Sequence, residues 1–163
     1  MADPNIFSPE WDAELTDPPF RARVSRVAHR AGGAELGASL FEVEPGGAVS
    51  PYHVHYGNEE MLIVLAGRPE LRTPEGRRTL EAGAVASFTR GPEGAHQVLN
   101  PGPDVVRVLL ISTMHHPEVV EHLDTGATLA MLGPAEGSVF PTGADVPFME
   151  AIVTAMEAGS EKD

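Results

Sequence analysis

Proline and glycine punctuate this chain so densely that long regular elements are excluded from most of it. There are fifteen Pro and seventeen Gly in 163 residues. Proline removes a backbone donor and fixes φ, while glycine supplies the positive φ that tight turns need. Between these breaks lie short apolar and β-branched runs. Residues 20–30 read FRARVSRVAHR, a half-exposed strand, turned by Gly32-Gly33. Residues 36–43 form a second strand, stopped by Pro45-Gly46-Gly47, and residues 49–55 a third. After a turn at Tyr56-Gly57-Asn58 comes the strongly apolar strand 60–65, closed by Gly67. Residues 70–73 and 77–80 flank Pro74-Glu75-Gly76 and read as a hairpin. Further strands follow at 85–88, 96–99 and 105–112. That makes about nine strands between residues 20 and 112, with no strand–helix alternation, so the expectation is all-β: a sandwich or a jelly-roll barrel.

The flanks are less regular. Residues 1–19 carry Pro4, Pro9, Pro18 and Pro19 and read as an irregular arm, anchored on the barrel or on a second subunit by the only Trp, Trp11. Residues 117–122 suit one helical turn, and 128–132 and 138–140 suit edge strands. Residues 146–158 place Phe148, Ile152, Ala155 and Met156 at helical spacing, with Gly159 as a stop, which predicts a short C-terminal helix. The expected organisation is an arm (1–19), a barrel (20–132) and an extension with a short helix (133–163). A chain of this length is most simply one domain.

Composition limits the chemistry. There is no cysteine, so disulfides and thiolate metal sites are excluded, and His, Asp and Glu remain as ligands. This fits a cytoplasmic protein. The net charge is −13, from 24 acidic and 11 basic residues, and Lys162 is the only Lys. Such an excess repels phosphate backbones and disfavours nucleic acid. The N-terminal stretch has neither the basic nor the apolar region of a signal peptide. The longest uncharged apolar run is far short of the roughly twenty residues of a membrane helix.

The chemistry concentrates in residues 47–67, GAVSPYHVHYGNEEMLIVLAG. Residues i and i+2 of a strand share a face, so His53 and His55 point the same way, about 7 Å apart along the strand. The turn at 56–58 brings Glu59-Glu60 back beside them. Only one of these can join the histidines, and both faces of the returning strand are apolar, so the pattern leaves the choice open. His96 follows a Gly-rich loop at the start of a strand, within reach of the pair. Three imidazoles and a carboxylate suit a divalent ion of intermediate softness: Fe, Mn, Zn, Ni or Co.

This stretch resembles a cupin. The family's first motif is a Gly, five residues, His-x-His, three or four residues, Glu, six residues and Gly, and Gly47, His53, His55, Glu60 and Gly67 match it. The resemblance selects Glu60 over Glu59. In the second motif Gly83, His96 and Asn100 match. Thr89 stands in place of the first Pro, and three extra residues bring Pro92-x-Gly94 nearer the His. The resemblance implies a jelly roll of six to eight strands holding one metal on His53, His55, Glu60 and His96. It also implies a homodimer, with the N-terminal arm packed across the interface, and a small-molecule substrate. Cupins include oxygenases, isomerases and binding proteins. The readings are therefore a metal-dependent, dioxygenase-like enzyme, a sugar or sugar-phosphate isomerase, or a non-catalytic small-molecule or metal-binding module. No catalytic residue beyond the metal ligands and no organic cofactor is implied.

Other candidates carry less. His115 and His116 end a strand and read as surface residues, with a place at the site's mouth as the alternative. His29 and His122 have no supporting spacing. Arg90 reads as a solvated loop residue, and Tyr52 and Gln97 alternate away from His53 and His96. No Ser/His/Asp arrangement and no phosphate-binding glycine loop is present.

Overall fold

The structure, a computed structural model, describes residues 3–133 and 136–141. The helix expected at 146–158 lies outside them. The described chain is all-β and folds as a jelly roll. One sheet has six strands: β1 (Ala13–Leu15), β2 (Ala22–Ser25), β3 (Leu36–Val43), β5 (Glu60–Ala66), β8 (Val85–Phe88) and β10 (Val106–Thr113). Their order is β1-β2-β3-β10-β5-β8. The opposite layer has two parts. Four strands, β4 (His53–His55), β11 (Glu118–His122), β12 (Ala127–Gly133) and β13 (Glu136–Phe140), run β13-β12-β11-β4. Three more, β6 (Glu70–Thr73), β7 (Gly76–Thr79) and β9 (Gln97–Leu99), run β7-β6-β9. Single bridges at Ala48–Leu99 and His53–His96 join the two parts. Every pairing is antiparallel. No helix among the described residues is long and apolar enough to cross a membrane.

The expected strands at 36–43, 60–65 and 85–88 form, as do the hairpin at 70–80 and the edge strands within β12 and β13. Three expectations need correction. Residues 20–30 are not one strand: β2 ends at Ser25 and α1 (Val27–Arg30) follows. Asp12 accepts the Arg26 N–H at 2.6 Å at this break, and Val24 and Val27 do not alternate across it. Residues 117–122 are not a helical turn. They hold β11, because Val119-Val120 is β-branched and Glu118–His122 finds partners on both sides, in β4 and β12. The arm is not wholly irregular, since β1 pairs with β2 of the same chain and Arg23 stacks on the Trp11 ring at 4.8 Å. The third strand is also shorter than expected, because Pro51 cannot donate to a ladder.

The core fills the space between the layers with Val43, Leu62, Val64, Phe88, Val106 and Val108 from one side and Leu71 and Val98 from the other. Each fully buried side chain of this kind contributes about 1.5–3 kcal/mol. In β5 the buried residues are Leu62 and Val64, while Met61 is exposed. Glu60 shares the face of Leu62 and Val64, so it points into the barrel. Glu59 is exposed.

One ionic clamp holds the six-stranded sheet laterally. Glu42 on β3 lies opposite Arg23 on β2 and Arg107 on β10, and both guanidinium groups bond its carboxylate. Burial alone would raise the Glu42 carboxyl, but the bonds from Arg107 and Arg23 outweigh it and hold it below the usual carboxylate range. A carboxyl depressed in the folded state stabilises above its unfolded pKa of about 4.3 and loses that contribution as pH falls through the folded value. Arg23 is part-exposed, so solvent screens the pair. Glu42→Gln is therefore expected to cost about 1–2 kcal/mol at pH 7. The difference from wild type should shrink below about pH 4. Denaturant unfolding at several pH values measures it, and a pH-independent difference would refute the assignment.

Candidate metal centre

The site begins with a backbone pairing. His53 donates its N–H to the His96 carbonyl at 3.1 Å, and His96 donates to the His53 carbonyl at 2.9 Å. Two residues that exchange both bonds stand directly opposite in an antiparallel ladder, with side chains on one face. His55 lies on the same face two residues along β4. Glu60 faces them from the opposite layer, at the start of β5. Thus all four side chains expected from the sequence meet at one end of the barrel, above the apolar core.

The distances describe a convergent set. Glu60 Oε2 lies 3.0 Å from His96 Nε2, 3.4 Å from His55 Nε2 and 4.0 Å from His53 Nε2. The Nε2 atoms of His53 and His55 are 3.0 Å apart. The donors of His53, Glu60 and His96 all lie within 4.8 Å of one another. Ligands about 2.1 Å from one ion stand about 3–4 Å apart, so His53, Glu60 and His96 could hold a single cation, while His55 lies outside that group. His96 Nε2 is buried and, although close to Glu60, makes no hydrogen bond.

The remaining ring nitrogens fix which lone pairs are free. His53 Nδ1 donates to the Pro51 carbonyl at 2.8 Å, and His96 Nδ1 to the Gly94 carbonyl at 3.0 Å. A carbonyl only accepts, so each Nδ1 carries the proton and each neutral ring keeps its Nε2 lone pair. Burial, then the neighbouring His96 and His55, push the His53 imidazole down to about 4. Burial alone would lower His55, but Glu60 and then Glu118 outweigh it and hold it above the usual imidazole range. Burial alone would raise Glu60, but its contacts with His55 and His96 outweigh it and hold it well below the carboxylate range. The ring atoms of His53 and His96 and the Glu60 carboxylate thus converge on a site that could hold a cation.

Several elements hold this geometry. Phe88 stacks on the His96 ring at 3.7 Å and 6°. The lengthened loop before His96 is pinned by Gly91, which donates to the His55 carbonyl at 2.8 Å. Asn100 is buried and donates to the carbonyls of Val43 and Asp104, so this motif residue fastens the barrel and not the site. A cavity of about 170 Å³ opens beside His53 and Glu60, walled by Ser39, Phe41, Val49, Ser50, Leu110 and Ser112. A larger hollow of about 600 Å³ under the N-terminal arm touches none of the four ligand residues.

The other candidates fall elsewhere. Arg90, His115 and Glu59 are exposed. His116 has both ring nitrogens buried without partners and is not among the converging groups. His29 is on α1. Tyr52 carries Arg72 on its ring at 3.9 Å, and Gln97 donates to the Ser50 carbonyl at 3.1 Å, so both face away from the cluster as expected. Sequence reasoning missed two neighbours. His122 is opposite His53 in the β4–β11 register, with ring centroids 6.4 Å apart. Glu118 is buried with one carboxylate oxygen 3.5 Å from His55 Nδ1. Both sit on the strand mistaken for a helical turn, and no local spacing ties them to β4.

Residues 39–112 match the family model Cupin_2, described as a cupin domain. Those residues, a little under half of the chain, are similar to the cupin domain. Several solved structures align with most of the chain's length. A sugar phosphate isomerase of the cupin superfamily from Silicibacter pomeroyi is 22% identical, with a TM-score of 0.70, over 78% of this chain and 82% of that one. A protein proposed to be a sugar phosphate isomerase, from Acidithiobacillus ferrooxidans, is 20% identical, with a TM-score of 0.74, over 85% and 87%. The polyketide cyclase RemF from Streptomyces resistomycificus is 22% identical, with a TM-score of 0.55, over 66% and 77%. At these identities the likeness is one of fold. No curated protein is significantly similar to this chain in sequence.

The loop glycine nearest His96 gives a test. A Cβ on Gly94 would stand 1.7 Å from the Thr89 carbonyl oxygen, so the loop must shift to admit one. The Gly94 carbonyl that holds His96 Nδ1 would move with it. Gly94→Ala is expected to cost about 1–3 kcal/mol by overpacking. It should also weaken divalent-metal binding by about tenfold or more through the displaced acceptor. Thermal melting and metal titration calorimetry measure the two effects; wild-type values in both would overturn this account of the loop.

Proposed function

We propose that this protein is a metal-dependent enzyme acting on a small organic molecule, with His53, His55, Glu60 and His96 holding one divalent ion of Fe, Mn, Zn or Ni. The observation that carries the reading is the tautomer arrangement. His53 and His96 spend their Nδ1 protons on backbone carbonyls and turn bare Nε2 atoms towards Glu60 beside a cavity. A bound ion with open positions supplies Lewis-acid or redox chemistry to a substrate placed next to it. The chain's own residues do the rest. Ser39, Ser50 and Ser112 offer hydroxyls to a polar substrate, Phe41 and Leu110 give it an apolar wall, and Phe88 shields the His96 ring. The cavity, comparable to about six water volumes, suits a compact molecule.

A dioxygenase-like oxidation fits an ion with positions left for both oxygen and substrate. A second reading, sugar-phosphate isomerisation, draws support from the names of the two structural neighbours. Against it, none of the eight residues around the cavity is Lys or Arg, the side chains that pair with phosphate.

Elemental analysis of the purified protein tests the common part of both readings. About one equivalent of divalent metal is expected in wild type, and His53→Ala and His96→Ala should lose most of it, because an incomplete ligand set binds far more weakly. Unchanged metal in His53→Ala would sink the site. Oxygen uptake with small hydroxy and keto compounds, set against interconversion of aldose and ketose phosphates, separates the reactions. Full occupancy by zinc with no response to iron would exclude the oxidative reading.

A further inference from the structure

Each of the three histidines has an acceptor beside its Nδ1. For His53 and His96 it is a main-chain carbonyl, whereas for His55 it is the Glu118 carboxylate at 3.5 Å. His55 Nδ1 is buried and, among the described residues, makes no hydrogen bond; the Glu118 oxygen 3.5 Å away is its ion-pair contact. Glu118 is only 3% exposed, and its position is closely defined. One oxygen accepts the backbone N–H groups of Tyr56 and Gly57, each at 3.2 Å. The other accepts the Asn58 side-chain amide. Asn58 in turn accepts from Thr113 at 2.9 Å and from the His115 N–H at 2.7 Å. The oxygen that binds the turn is also the one nearest His55.

We propose that Glu118 is the positioning residue for the metal ligand His55, holding the proton on Nδ1 so that Nε2 presents its lone pair to the ion; the inference rests on the metal reading above. Without such an acceptor His55 has a competing choice. Its Nε2 lies 3.4 Å from Glu60 and 3.0 Å from His53 Nε2, both of which accept. A proton drawn to Nε2 would satisfy them and block the ligand atom. A carboxylate at Nδ1 tips the ring the other way and raises ligand basicity, as carboxylate–histidine pairs do at metal sites. Gly57 serves this approach: a Cβ there would stand 2.8 Å from a Glu118 oxygen.

The alternative is that Glu118 only ties the 56–58 turn. Zn(II) affinity by chelator competition separates the two. Glu118→Gln, which keeps size and hydrogen-bonding capacity, is expected to bind Zn(II) about 10–100-fold more weakly than wild type. Glu118→Asp should fall between them. Asn58→Ser, which loosens the turn but leaves the carboxylate, should lower the melting temperature of the metal-free protein while keeping most of the affinity. In the zinc-loaded protein the His55 Nδ1 proton should exchange slowly in wild type and fast in Glu118→Gln, seen by imidazole ¹H–¹⁵N spectra. Glu118→Gln binding within about twofold of wild type, or an equal loss in Asn58→Ser, overturns the proposal. A wild-type protein that takes up no Zn(II), Mn(II) or Fe(II) overturns the metal reading itself.

Discussion

The two hydrogen bonds exchanged by His53 and His96 are where fold and site become one problem. They join β4 to the start of β9 and so close the gap between the two halves of one layer. The same pairing sets two imidazoles side by side on the inner face, because residues directly opposite in an antiparallel ladder point the same way. Neither ring needs a long flexible arm to reach the other. The carboxylate then arrives from the facing layer, where β5 begins, so the cluster spans the barrel.

Around that pairing the polar and apolar parts of the interior divide cleanly. Leu62 and Val64 continue the face that Glu60 starts, and Phe88 both packs in the core and lies flat on His96. A buried polar cluster is costly unless its groups are satisfied. Here backbone carbonyls take the outward ring protons of His53 and His96, and the unpartnered His96 Nε2 faces Glu60. His116 differs in this respect: both its ring nitrogens are buried and unpartnered among the described residues, and it is outside the converging group.

Much of this was legible in the sequence, for definable reasons. Gly and Pro mark most strand ends, because a turn's backbone demands are local. The His53/His55 pair was legible because alternation is a property of one strand. Glu60 against Glu59 was not legible from pattern, since Met61, Ile63 and Leu65 are as apolar as Leu62 and Val64; the family spacing chose, and burial in β5 agrees. β11 was misread because its pairing with β4 joins residues more than sixty apart, and nothing in the local run Glu118–His122 announces that partner. The proximity of Glu118 and His122 to the site was hidden with it. The break at Ser25 was missed for a similar reason, since Asp12, from the arm, fixes it.

The placement of the four candidate ligand residues also bears on how the chain becomes stable. They come from β4, from the start of β5 and from the edge of β9, in both layers, and there is no disulfide to tie those layers together. The convergence exists only when the barrel is closed, so an ion that binds there binds the native state alone. Its binding free energy is then folding free energy, about 2.7 kcal/mol at a free concentration one hundred times the dissociation constant. An ion bound there would act as a non-covalent staple across the mouth of the barrel. Metal supply would set how long the closed barrel persists as well as whether it reacts.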